Sequence, residues 1–276
     1  STGERFQLEK KYGDSLDFIH GAGAMQGFGL EVTKIDDSHK SGVLYQRMVK
    51  DEHTKVDLFS FGAVTEILTI LQNPGLCRKI KSITLMGGSL SEPGNVEPHL
   101  EANFRHDPQA LVEIIKIAEK SSIGLTIVPL DVSQNRGLEL TPKRMEKLVE
   151  SLRRRGSPKI ADFIYSLAGS DSTYFNFYTN TVDRYQQKSP YRKRKINGPF
   201  IHDLTALMVK LHPELFIIKE RRIKVITSGP EAGAIGVAQD HMDPHGNVRV
   251  ALDLIDKKAA DLYWKYVEDY LAEGYE

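Results

Sequence analysis

The feature that most constrains the fold is a set of short apolar segments that alternate with helical segments. The apolar segments are residues 56–59, 80–86 and 123–130, and each of them ends at a turn or a polar loop. They are apolar on both faces, which is typical of parallel strands that are covered by helices on both sides. The sequence therefore predicts an α/β fold with an open, mostly parallel sheet and helices on both faces.

Helix starts and stops elsewhere in the chain agree with this fold class. Asn73-Pro74-Gly75 is predicted to end the helix of residues 64–71, and Asp107-Pro108 is predicted to begin another, with Asp107 as N-cap. Further helices are predicted at 142–155, 157–168, 206–211 and 257–271, and further strands at 223–227, 234–238 and 248–252. No internal repeat or low-complexity linker interrupts the pattern, so residues 1–276 are predicted to form one domain.

Composition argues against several classes of function. Lys+Arg and Asp+Glu both number 37, and this balance does not favour nucleic acid or an anionic membrane as the main partner. No apolar run reaches the roughly 18–20 residues of a membrane-spanning helix. A cytoplasmic location is therefore the expectation. The single cysteine, Cys77, excludes an intrachain disulfide and is predicted to be an inert buried thiol.

Two charged clusters are better explained as surface features than as sites. The basic run 188–195 contains an aromatic residue and could bind phosphate, but a solvated loop is the favoured interpretation. Asp36-Asp37-Ser38 is interpreted as a polar turn, because its two adjacent carboxylates have no third ligand nearby.

The long loop after residues 80–86 carries the first candidate site. It contains Gly87-Gly88, where the backbone can approach a ligand closely, and then Asn95, Glu101 and Asn103. Amide and carboxylate groups can bind several hydroxyls at once, as recognition of a polyol requires. The alternative is that Asn95 and Glu101 only cap turns, and the residues alone leave both interpretations open.

The second candidate site is His202-Asp203, directly before an apolar helix. A histidine beside a carboxylate is suited to proton donation near neutral pH. The alternative is that Asp203 only caps the helix.

Taken together, these segments resemble the inosine-uridine preferring nucleoside hydrolase family in their order and spacing. Gly62-Ala63-Val64-Thr65-Glu66 is similar to the family's Gly-Pro-Leu-Thr-Asn step before a helix. The remaining matching segments follow in the family's order: Met86-Gly87-Gly88, Gly94-Asn95, Glu101-Ala102-Asn103, Asp107-Pro108, Val128-Pro129-Leu130-Asp131-Val132, His202-Asp203 and the stretch from Gly229 onward.

The resemblance implies a nucleoside hydrolase that cleaves the N-glycosidic bond of a small-molecule ribonucleoside, giving ribose and free base through an oxocarbenium-like state. It also implies a calcium cofactor and a homo-oligomer, with neither nucleic acid nor membrane as partner. By the same resemblance, His202 is the acid that protonates the leaving base. The implied substrate ligands are Met86, Asn95, Glu101 and Asn103, and the implied calcium ligands are Asp203 and the carbonyl of Phe61.

The chain departs from the family pattern at its start. The family begins with a strand and an Asp-rich loop that supplies calcium ligands, and this motif is absent from the sequence. The chain is therefore expected to be N-terminally truncated relative to the family, with the first strand missing or replaced. The alternative function is a non-catalytic nucleoside hydrolase-like binding or assembly protein that has lost the calcium loop.

Overall fold

The computed structural model describes residues 55–96, 99–169, 196–238 and 246–273. Asp36-Asp37-Ser38 and the basic run 188–195 lie outside these ranges. The described residues group by their contacts into two compact units. We call residues 55–138 and 201–263 the sheet unit, and residues 139–169, 196–200 and 264–273 the helical unit. The prediction of a single domain stays a prediction.

The sheet unit is built on a mixed sheet. Its strands are β1 (Val56–Ser60), β2 (Ile80–Met86), β3 (Gly124–Val128), β4 (Phe216–Val225), β5 (Ile235–Val237) and β6 (Gly246–Leu254). The spatial order is β1-β2-β3-β6-β4-β5. The pairs β1-β2, β2-β3 and β3-β6 are parallel, whereas β4 is antiparallel to both β6 and β5. The predicted α/β class with a mostly parallel sheet is confirmed.

The described helices lie between and after these strands. They are α1 (Thr65–Gln72), α2 (Pro74–Cys77), α3 (Ala102–His106), α4 (Pro108–Lys120), α5 (Leu130–Ser133), α6 (Pro142–Arg154), α7 (Pro158–Ala168), α8 (His202–Leu211) and α9 (Lys257–Glu273). Short 3₁₀ turns cover Arg136–Leu138 and Pro213–Leu215. None of the helices in the described ranges is long and apolar enough to cross a membrane.

Helices cover both faces of the sheet. Ile83 and Leu85 of β2 pack into the main core with apolar side chains of α1 and α4. Because side chains alternate along a strand, Ser82 points to the opposite face, and there its hydroxyl lies 2.7 Å from Lys210 Nζ of α8. α8 therefore lies on the face opposite α1 and α4.

The described strands form one continuous sheet. A missing first strand leaves no gap between the described strands, because β3 pairs directly with β6 through Thr126↔Arg249 and Ile127↔Val250. β4 is also longer than its apolar pattern predicted, since Lys219, Glu220 and Arg222 are exposed and interrupt that pattern.

Two local predictions need correction. Asn73 ends α1, but it also caps α2, because its Oδ1 accepts hydrogen bonds from the backbone N–H groups of Gly75 and Leu76. A proline at the first position of a helix is favourable, so Pro74 begins a short helix instead of simply stopping one. Cys77 is partly buried against the main core, not fully buried as predicted.

The helical unit has a core of its own. The side chains in it come mainly from α6 and α7: Leu140, Met145, Leu148, Val149, Leu152 and Ala161. Trp264 packs against this core, and the Arg144 guanidinium lies 5.0 Å from the centre of its ring. Arg155 pairs with Glu268 and Asp269 at 3.2 and 2.7 Å. The unit thus combines an apolar core with charge pairs at its surface.

Candidate functional site

The residues that the sequence singled out gather at the carboxyl ends of three neighbouring strands of the sheet unit. Phe61 comes directly after β1, Gly87 directly after β2, and α5 begins two residues after β3. Because β1, β2 and β3 are parallel, their carboxyl ends share one edge of the sheet. The ligand crevice of an open parallel sheet lies at this edge.

Asn103 connects the ends of two strands. Its side-chain Nδ2 donates to the carbonyl of Met86 at 3.0 Å and to that of Phe61 at 3.3 Å, and it lies 3.3 Å from Met86 Sδ. A carbonyl oxygen only accepts hydrogen bonds, so the amide orientation follows from its partners. The structure therefore brings Asn103, Met86 and the Phe61 carbonyl together in direct contact.

Glu101 is a buried N-cap. Its side chain accepts backbone N–H groups from Asn103 at 2.9 Å, Phe104 at 3.1 Å and Gly88 at 2.9 Å. The residue is only 1% exposed. Burial raises the pKa of Glu101, the three backbone hydrogen bonds act in the opposite direction, and the negative charge of Asp203 adds to the increase.

Asn95 supports the same helix start. Its Oδ1 accepts the backbone N–H of Ala102 at 2.9 Å. Both Asn95 and Glu101 thus have the capping contacts that the alternative interpretation expected. A carboxylate or amide oxygen can accept more than one hydrogen bond, so these capping contacts do not exclude a ribose hydroxyl as a further partner. The ribose-binding role of Asn95 and Glu101 therefore stays a prediction.

Two glycines allow the α3 segment to approach β2 closely. A Cβ on Gly87 would lie 2.4 Å from the Phe104 ring, and one on Gly88 would lie 2.5 Å from Ile235. Gly88 also has a φ of +82°, which disfavours other residues. The Gly87-Gly88 pair therefore fixes how the loop with Glu101 and Asn103 sits against the sheet.

His202 is the first residue of α8 and contacts the short helix α5 that follows β3. Its Nδ1 lies 2.8 Å from the Oγ of Ser133, the last residue of α5. Burial lowers the pKa of His202 to about 4. The imidazole is therefore uncharged at neutral pH, and what it offers there is one N–H and one lone pair.

Asp203 lies in the first turn of α8. The N-cap is Ile201, which has no side-chain cap, so the alternative in which Asp203 caps the helix is wrong. The residue is exposed, yet neighbouring protein atoms desolvate its carboxyl and raise the pKa of Asp203. Together with Glu101 it gives this edge of the sheet an excess of negative charge.

The described residues do not fit a calcium site by themselves. No group of three or more His, Cys, Asp or Glu side chains within the described ranges could hold a metal ion. The carbonyl of Phe61, an expected calcium ligand, already accepts a hydrogen bond from the amide of Asn103 at 3.3 Å. Calcium usually takes 6–8 oxygen ligands, and Asp203 with one carbonyl is far from that number.

Sequence reasoning gave no role to three residues that organise the site. Asp131 accepts the backbone N–H groups of Leu90 and Ser91 at 2.8 Å and that of Glu92 at 3.3 Å, which anchors the loop after β2. Ser133 binds His202. Thr65 donates to Asp107 at 2.8 Å, and Asp107 caps α4 as predicted. The sequence feature that could have pointed to Asp131 and Ser133 is their position just after a predicted strand of a parallel sheet.

The sequence is similar to that of a known protein family. The sequence profile of the family "Inosine-uridine preferring nucleoside hydrolase" matches residues 2–261. A probable uridine nucleosidase 1 from Oryza sativa subsp. japonica is 25% identical over 217 residues, which is 77% of this chain and 58% of that protein. A non-specific ribonucleoside hydrolase, RihC, from Shigella boydii serotype 18 is 30% identical over 202 residues, which is 72% of this chain and 56% of that protein. The chain thus covers less than two thirds of the length of these relatives.

Solved structures show the same fold. A plant nucleoside hydrolase is similar with a TM-score of 0.68 at 20% identity, over 94% of this chain and 75% of that one. A purine-preferring ribonucleoside hydrolase from Gardnerella vaginalis has a TM-score of 0.64 at 21% identity, with the same coverage of 94% and 75%. From the match over nearly the whole sequence, the chain belongs to the inosine-uridine preferring nucleoside hydrolase family.

Proposed function

We propose that this protein hydrolyses the N-glycosidic bond of ribonucleosides to ribose and free base. The observation that carries the proposal is the cluster of polar groups at the carboxyl ends of β1, β2 and β3 in a member of a hydrolase family. Asn103 and Glu101 lie beside the end of β2, and His202 contacts Ser133 in the short helix that follows β3. These groups are the kinds that bind a sugar and assist departure of a base.

The negative charge of the cluster suits the proposed chemistry. Cleavage of the glycosidic bond develops positive charge on the sugar, and fixed anionic groups stabilise that charge. Glu101 and Asp203 supply two carboxyls close enough for the charge of one to raise the pKa of the other. Glu101 is held by three main-chain N–H groups, so it needs little reorganisation during the reaction.

His202 serves the leaving base in this proposal. Its pKa of about 4 makes the ring neutral in the free protein, so its contribution at neutral pH is an N–H that donates to a ring nitrogen of the base. The contact of the His202 ring with Ser133, which follows β3, supports a base position next to a ribose bound at Asn103 and Glu101. Loss of a single hydrogen-bond donor to a group that develops negative charge typically costs about 10²–10³-fold in rate.

The experiment is ribose release from inosine, uridine, adenosine and cytidine, with excess calcium and again with a chelator. Release by the wild-type protein, and a loss of about 10²-fold or more in His202→Asn, supports the proposal. His212→Asn is the matched control, because His212 lies at the opposite end of α8 and pairs with Glu214. A folded protein that releases no ribose from any of the four nucleosides contradicts the proposal, and the chelator decides the need for calcium.

A second candidate is a nucleoside-binding or assembly protein without catalysis. The observation in its favour is that the expected metal ligands are not gathered within the described residues, while Asn95 and Glu101 are occupied with main-chain donors. It predicts calcium-independent nucleoside binding by calorimetry with no ribose release, or no nucleoside binding with a stable assembly. We propose that the protein forms a homo-oligomer under both candidates. Analytical ultracentrifugation measures this self-association.

A further inference from the structure

Ser133 is buried against the proposed acid of the reaction. It is 0% exposed and ends α5, the short helix after β3. Its backbone N–H bonds to the carbonyl of Pro129 at 3.2 Å, which fixes the residue within a helical turn. Its Oγ lies 2.8 Å from Nδ1 of His202, a residue 69 positions further along the chain. The contact thus joins two separate elements of the site.

We propose that Ser133 is a positioning residue that sets the ring orientation and tautomer of His202. The inference deepens the proposed hydrolase function and rests on it. His202 is the first residue of α8, so its side chain has no preceding helical turn against which to pack. The hydrogen bond between Ser133 and one ring nitrogen restricts the ring plane and, with it, the direction of the other nitrogen.

The side of the ring that Ser133 contacts defines its effect. In neutral imidazole one nitrogen is a donor and the other an acceptor. The 2.8 Å contact is compatible with either direction, since the hydroxyl and Nδ1 can each donate or accept according to the tautomer. In the proposed arrangement the Ser133 hydroxyl donates to Nδ1, and the ring proton is then on Nε2. Nε2 is then the atom that donates to the leaving base, and Ser133 acts through His202 without contact with substrate.

The first test is a double-mutant cycle on ribose release. Ser133→Ala and Ser133→Cys both lower kcat on the order of 10-fold with KM nearly unchanged, because the cysteine thiol has almost the same size but is a weak donor. Ser133→Thr keeps the hydroxyl and retains most of kcat. In a His202→Asn background Ser133→Ala causes no further loss, as expected for residues that act as a unit.

The matched control is Thr84→Val, which removes another buried hydroxyl, 2% exposed, from β2 without a change in shape. Its kcat stays at the wild-type value. The proposal is overturned if Thr84→Val loses as much kcat as Ser133→Ala, if Ser133→Cys is as active as wild type, or if Ser133→Ala causes the same further loss in the His202→Asn background.

A second test needs no turnover and separates this inference from the proposed function. Nitrogen-15 NMR of the histidine rings, assigned with His202→Asn, shows unprotonated Nδ1 and protonated Nε2 for His202 in the wild type. Ser133→Ala shifts this tautomer equilibrium, whereas Ser133→Thr does not. If the wild type releases no ribose but shows these signals, the hydrolase proposal fails and the positioning by Ser133 stands; an unchanged tautomer in Ser133→Ala overturns the positioning.

Discussion

The two ends of the parallel strands in the sheet unit hold their carboxylates in different ways. At the amino end, Asp57 accepts the Ser82 hydroxyl at 2.5 Å and the Lys210 ammonium at 2.8 Å. Burial alone would raise the pKa of Asp57, but these hydrogen bonds and the Lys210 charge outweigh it and lower the pKa. At the carboxyl end, Glu101 is bound by main-chain N–H groups, and its pKa is raised by burial and by the charge of Asp203.

The difference separates a structural contact from a candidate site. At the amino end, the ammonium of Lys210 neutralises the carboxylate of Asp57, and this pair serves the fold. The carboxyl end keeps two carboxyls with raised pKa values, Glu101 and Asp203, in one place. Perturbed groups of this kind concentrate at functional sites. A positive charge that develops on a substrate would interact favourably with these two carboxyls, as Lys210 does with Asp57 at the other end.

Removal of the Glu101 carboxylate should have the largest effect on stability. Glu101→Ala leaves three backbone N–H groups without their acceptor in a buried position, and we expect a loss of about 3 kcal/mol or more in the free energy of unfolding. Urea denaturation measures it. Glu113→Gln is the control, because Glu113 is exposed and its pair with Lys116 contributes little. A loss below about 1 kcal/mol for Glu101→Ala would mean that the carboxylate is not the cap of α3 in solution.

Replacement of the Asn103 amide by a carboxylate should have the next largest effect on stability. Asn103→Asp places an oxygen where an N–H group now faces the carbonyls of Phe61 and Met86, and we expect a loss of about 2 kcal/mol in the free energy of unfolding. Added calcium should recover part of this loss, since one carboxylate and two carbonyls are oxygen ligands that calcium accepts. Asn103→Ala, which creates no carboxylate, should show no such recovery. Equal responses to calcium would contradict the amide orientation described above.

Much of the fold could be predicted because the sheet is apolar where it is buried. β2 matched its predicted bounds, residues 80–86, and α4 began at the predicted Asp107-Pro108 cap. β4 was predicted only from residue 223, although it begins at Phe216. Its first half carries exposed charges, and a strand that is exposed on one side has no continuous apolar run to detect.

The candidate site residues stay predictions, and the contacts between them could not be predicted from the sequence. Order and spacing pointed to Glu101, Asn103 and His202, yet the bond between Ser133 and His202 joins residues 69 positions apart. Such a contact depends on the tertiary packing that brings the start of α8 to the end of α5. A sequence pattern contains no direct record of that geometry, so the partner of His202 could be found only in the folded structure.

The two ends of the sheet should also respond to pH with opposite signs. The pKa of Glu101 is raised in the folded state, so its protonation favours folding as the pH falls. Relative to Glu101→Gln, the wild type should therefore gain stability as the pH falls through the folded pKa of Glu101, and the gain should be complete below the pKa of the unfolded chain, because only the wild type can take up this proton. Urea denaturation of both proteins at several pH values between neutral pH and the ordinary pKa of a glutamate measures the change. A wild type that loses stability relative to the variant as the pH falls would show that the pKa of Glu101 is lowered instead.

The smallest effect is expected at Asp57. Asp57→Asn should lower the free energy of unfolding at pH 7 by less than about 1 kcal/mol, because both partners of the pair with Lys210 are partly exposed. The pKa of Asp57 is lowered in the folded state, so its contribution is present above the pKa of the unfolded chain and disappears as the pH falls through the lower, folded pKa. The difference between wild type and Asp57→Asn should therefore shrink in acid, opposite to that of Glu101→Gln. Lys210→Met should give a loss of similar size, since it removes the same pair from the other side. A difference for Asp57→Asn that grew in acid would mean that burial, and not Lys210, controls this carboxylate, and the contrast between the two ends of the sheet would no longer hold.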